Sequence, residues 1–130
     1  MKQDEVQNII DYAYPKIKAY YGKGSKAIPT IELHKDIYAR LSGIEGMEGE
    51  ASQTSIAEYD EIENKIFIYY PNVKSEEDVL RSLIHEYTHY TQNLTPLKKR
   101  VANQEYTYET NPYEIEAHSA EKDWQLFSKK

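Results

Sequence analysis

The chain of 130 residues has no cysteine. This excludes a disulfide framework, a thiol nucleophile and any thiolate zinc site, so a metal here must be held by imidazole and carboxylate. Long hydrophobic runs are also missing. None approaches the roughly 20 residues that span a bilayer. The opening Met1-Lys2-Gln3-Asp4-Glu5 lacks the apolar segment of a signal peptide. The expectation is a cytoplasmic chain with no membrane partner. Positive charge is scarce: 16 Lys and Arg stand against 22 Asp and Glu, a net charge of -6. That balance disfavours nucleic acid as a partner. Phe and Trp together number three, whereas Tyr numbers 13. With no basic groove beside them, the tyrosines read as amphipathic packing residues with wet hydroxyl ends, not as a base-stacking platform.

What is present suits one globular domain over residues 1–130. Hydrophobic residues make up 39% and charged residues 29%, enough for one moderate core. Residues 4–21 carry Val6, Ile9, Ile10, Ala13, Ile17 and Tyr20 at helical spacing, with Pro15 as a predicted kink and Gly22 as a stop. Residues 28–34 alternate as a short strand, and residues 52–59 read as a weaker edge strand. Lys65 to Tyr70 is the strongest strand signal, with Asn64 at the preceding turn. His34 reads as a strand-end histidine. Glu45, Glu48 and Glu50 read as a solvated acidic loop, and Lys98-Lys99-Arg100 as a solvated basic cluster.

The most informative stretch is His85-Glu86-Tyr87-Thr88-His89. Ser75 reads as an N-cap with three acids behind it, so the spacing predicts a helix over 76–93. At about 100° per residue, Val79, Leu80, Leu83, Ile84, Tyr87 and Tyr90 fall on one apolar face, and His85, Glu86 and His89 fall on the opposite side. Histidines four apart on a helix lie one above the other, so both imidazoles reach one metal ion. Glu86 projects to the same side and is placed to act as a base on water.

A catalytic zinc site needs a third protein ligand. A metzincin-type continuation fails, because position 92 is Gln and position 95 is Thr. The next candidates are Glu114 and Glu116, on a final helix predicted over 113–127 with Asn111 as cap and Pro112 at its first position. They sit about 200° apart, so only one can face the metal. Glu114, His118 and Glu121 share one polar stripe, whereas Glu116 flanks the Ala117/Trp124/Phe127 side.

The pair formed by His85-Glu86-x-x-His89 and Glu114-Ile115-Glu116-Ala117 resembles the H-E-x-x-H and E-x-E-A segments of gluzincin-type metallopeptidases. The resemblance covers the C-terminal half of the chain. It implies Zn²⁺ held by His85, His89 and Glu114, with Glu86 as general base and acid in peptide hydrolysis. It also implies an α+β, zincin-like fold, with a small, mostly antiparallel twisted sheet packed on helices. A peptide or protein substrate would then pair as an extended strand with an edge, here residues 52–57. Where the family often carries an aspartate that orients a zinc-bound histidine, this chain has His118. Tyr106, Tyr108, Tyr113 and His118 are the candidates for oxyanion stabilisation. The alternative is a non-catalytic zinc-containing protein-binding or regulatory module on the same fold. The sequence sets no oligomeric state.

Overall fold

The computed structural model describes residues 1–35, 56–92, 104–107 and 110–129. Helix α1 (Gln3–Tyr21) is followed by β1 (Thr30–His34), β2 (Ala57–Asp60) and β3 (Lys65–Tyr69). A 3-10 turn (Tyr70–Asn72) leads into α2 (Glu76–Thr91), and α3 (Pro112–Ala120) passes directly into a C-terminal 3-10 segment (Glu121–Phe127). The architecture is α+β. The acidic loop, the basic cluster and Tyr108 lie outside the described residues.

The sheet order is β1-β3-β2. β2 and β3 pair antiparallel across a tight turn, in which the Asp60 carboxylate accepts the N–H groups of Ile62 and Glu63, both at 2.9 Å. Asn64 closes the turn at φ 57°, a conformation that asparagine tolerates better than most residues. β1 pairs with β3 in parallel. The mostly antiparallel sheet that the family resemblance implies is therefore corrected to a mixed one. The long connection between β1 and β2 gives the chain room for the crossover that a parallel neighbour requires. Among the described residues β2 is an outer strand that begins at Ala57, and the edge expected over residues 52–57 lies mostly outside the described residues.

Local signals account for the helices. Ser75 Oγ accepts the N–H of Asp78 at 3.2 Å, and the Asp78 carboxylate reaches back to the N–H of Lys74 at 2.8 Å. These bonds satisfy donors at the start of α2. Asn111 caps α3 by accepting the Tyr113 N–H at 2.9 Å. α1 runs through Pro15, which faces solvent; water can there serve the Asp11 carbonyl whose helical donor proline removes. The predicted final helix is divided: its α-helical part ends at Ala120, and the rest winds more tightly.

α2 packs against α1, β2, β3, α3 and the C-terminal 3-10 segment. Val79, Leu80, Leu83, Ile84 and Tyr87 are fully buried against Val6, Ala13 and Ile17 of α1 and Ile66 and Ile68 of β3. Burying each such aliphatic side chain stabilises the fold by about 1.5–3 kcal/mol relative to exposure. The core thereby fixes the rotation of α2 and turns its histidines toward β2 and α3. No helix among the described residues is long and apolar enough to cross a membrane.

Candidate metal centre

His85 and His89 stand one turn apart on α2, and Glu114 comes to them from the first turn of α3. His85 Nε2 lies 3.1 Å from Glu114 Oε2, His89 Nε2 lies 2.9 Å from Glu114 Oε1, and the two Nε2 atoms are 3.2 Å apart. Tetrahedral coordination with bonds of about 2.0–2.2 Å needs donors about 3–3.5 Å apart. The three side chains therefore form a group that can hold a metal ion. All three are largely shielded, with side-chain exposures of 11%, 11% and 18%.

The remaining ring nitrogens are also engaged. His85 Nδ1–H donates to Glu121 Oε2 at 2.7 Å. His89 Nδ1–H donates to Gln92 Oε1 at 2.8 Å, and the Gln92 amide nitrogen donates to the Tyr113 carbonyl at 2.9 Å and to Glu116 at 3.0 Å. Such contacts orient each ring so that Nε2, once deprotonated, would direct its lone pair at the point the three side chains enclose. Gln92 does more, since it ties the end of α2 to the helix that delivers Glu114.

The electrostatics favour positive charge at this point. Burial disfavours the charged form of His85, but hydrogen bonds to Glu114 and Glu121 and the charge of Glu86 outweigh it and hold the imidazole up at about 10. His89 is raised in the same way: burial opposes the charge, and Glu114, Glu86 and Gln92 favour it. Burial pushes Glu114 up, but hydrogen bonds from both histidines override this and hold its carboxyl well below the usual range.

Glu86 does not join the triad. It lines two adjoining cavities along β2, one of about 230 Å³ with Ala57, Tyr59, His89 and Glu114, the other of about 410 Å³ with Ile56, Arg81, Ser82 and His118. A trough thus runs between the motif face of α2 and the outer strand, passing the triad and the Glu86 carboxylate.

Of the two carboxylates left open by the helical spacing, Glu114 faces the histidines, whereas Glu116 is exposed and bonded to Gln92. His118 lies outside the triad. Its Nδ1 is 2.9 Å from Glu121 Oε2, its ring centroid is 4.7 Å from that of His85, and its side chain is 52% exposed. Tyr113 contributes its backbone carbonyl to Gln92, and neither it nor Tyr106 lines either cavity. Sequence reasoning gave no role to Glu121 or Gln92. The available signals were faint: Glu121 shares a stripe with Glu114, and Gln92 lies three residues past His89 on the same helix. No family model, curated protein or solved structure matches the chain.

Proposed function

We propose that this chain is a zinc-dependent peptide hydrolase of gluzincin type on a minimal zincin-like domain. The observation that carries the reading is the convergence of His85 Nε2, His89 Nε2 and the Glu114 carboxylate on one point beside a trough that holds Glu86. Two imidazoles and one carboxylate suit zinc, and three protein ligands leave a position for chemistry. When bound, zinc supplies a Lewis acid and lowers the pKa of water to about 7. Glu86 takes the proton of the attacking water on its carboxylate and delivers it to the leaving amine. Glu121 and Gln92 hold the two imidazoles in register. Among the described residues β2 is an outer strand of the sheet, and an extended peptide laid along it by backbone pairing would carry the scissile bond across the trough.

The test is zinc content and peptide hydrolysis, measured together on the wild type and on Glu86→Gln. About one zinc per chain is expected in both, with hydrolysis reduced by roughly 10²–10⁴-fold or more in the variant. Zinc in both proteins and hydrolysis in neither, across a broad peptide library, would favour the non-catalytic binding module. Absence of zinc in both after metal-replete purification would remove the metal centre itself.

A further inference from the structure

His85 has two working edges. Its Nε2 faces Glu114 and His89, while its Nδ1 faces a second group of metal-ligating side chains, His118 and Glu121. His85 Nδ1 lies 2.7 Å from Glu121 Oε2, and His118 Nδ1 lies 2.9 Å from the same oxygen. The three ligand atoms all lie within 4.8 Å of one another. This group opens into the larger cavity, of about 410 Å³, which also contains Glu86. His118 is half exposed, so an ion can reach the site from solvent.

We propose that His85, His118 and Glu121 form a second, weaker site for a divalent transition metal, bridged to the first through the His85 imidazole. The inference rests on the zinc reading of the first site. Two nitrogens and one oxygen suit Zn²⁺ or its first-row neighbours and suit calcium or magnesium poorly. The proton inventory closes without any redox partner. His118 needs only the tautomer with its proton on Nε2, which frees Nδ1 as a ligand. His85 has Nε2 committed to the first ion, so its Nδ1–H bond breaks, the proton leaves to solvent, and a metal–nitrogen bond forms in its place. Glu121 exchanges two hydrogen bonds for one metal bond. Arg81 opposes the site, since its Nη1 lies 3.9 Å from Glu121 Oε1, although its Nε is bonded to Glu77 at 2.7 Å.

The second ion has a functional consequence. It sits in the trough beside Glu86, takes Glu121 away from hydrogen bonding to His85, and occupies space that a substrate needs. Excess zinc therefore acts as a reversible brake on hydrolysis.

The test is titration of the whole chain with Zn²⁺ by calorimetry and with Co²⁺ by absorption and paramagnetic resonance, on wild type, His118→Ala and Arg81→Gln. Wild type should take up two ions in two steps. The second cobalt should diminish the spin signal of the first through the bridging imidazolate, and hydrolysis should fall as the second step fills. His118→Ala should keep the first step and weaken the second by more than the roughly 10–100-fold that loss of an outer hydrogen-bonding partner costs. Arg81→Gln should tighten the second step. One ion per chain at any metal concentration, a second step unchanged in His118→Ala, or two ions without spin coupling would each overturn the bridged site while leaving the first intact. No ion at all would overturn the underlying zinc reading, and this inference with it.

Discussion

The two faces of α2 handle buried polar atoms in opposite ways. On the core face, Tyr87 and Tyr90 are buried, yet their hydroxyls reach the far wall of the core. Tyr87 donates to the Gly22 carbonyl and Tyr90 to the Lys26 carbonyl, each at 2.5 Å, and Tyr90 also accepts the Gly24 N–H at 3.0 Å. Tyr14 of α1 joins them by donating to the Pro29 carbonyl at 2.6 Å. Every bond here is neutral, and together they pin the segment between α1 and β1. On the motif face, His85 and His89 meet Glu114 and Glu121 as charged groups within 3.1 Å. One face is satisfied by the fold alone. The other concentrates opposite charges about a point where a metal ion could be held.

High pH should break this comparison most severely, because it ionises the phenols of the neutral face and, on the motif face, also discharges His85, which is held up at about 10. Burial, reinforced by nearby acids and neighbouring tyrosines, pushes Tyr59 up to about 12, and burial together with Glu76 does the same for Tyr12. Tyr14, Tyr21 and Tyr87 are also raised, in each case first by burial. A phenol whose folded pKa exceeds its unfolded value near 10 contributes stability that is fully present below about pH 10 and is lost as pH rises toward the folded value. Helical circular dichroism and tyrosinate absorbance should therefore change together, in one transition between about pH 10 and 12. Ionisation of most tyrosines near pH 10 with the helices intact would show that the hydroxyls are not held as described.

The next effect isolates the charged face. Glu121→Gln keeps an acceptor near His85 Nδ1 but removes the charge. Zinc affinity, read by competition with a chelator, should fall by about 10–100-fold, roughly 1.4–2.8 kcal/mol. Glu116→Gln, on α3 just before Glu121 but turned toward Gln92, should change affinity by much less. Equal losses in the two variants would mean that total charge, and not orientation of His85, governs the site. The contrast also shows what the sequence made legible. The motif helix, its Ser75 cap, the Asn111 cap and the central β3 follow from residues within a few positions of one another, so local pattern placed them closely. His85, His89 and Glu114 were legible from spacing together with a family resemblance. Glu121 reaches His85 across 36 positions, and the parallel β1–β3 pairing sets Thr30 against Lys65, nearly as far apart in the chain. Such long-range contacts are set by how α3 docks and how the chain crosses over, and no local periodicity encodes either.

Tyr87→Phe gives the smallest effect and the sharpest division of labour. Tyr87 sits between His85 and His89 in the chain but points away from both, with its ring buried and its hydroxyl on Gly22. Phenylalanine keeps the ring and removes one hydrogen bond, at a cost of about 1 kcal/mol. In a domain of this size that lowers the melting temperature by roughly 3–6 °C. Zinc affinity should not change, because the substitution leaves the rotation of α2 and the motif face untouched. A loss of affinity comparable to that of Glu121→Gln would show instead that the tyrosine hydroxyls set the helix rotation to which the histidines are aligned. The two faces would then be one coupled device.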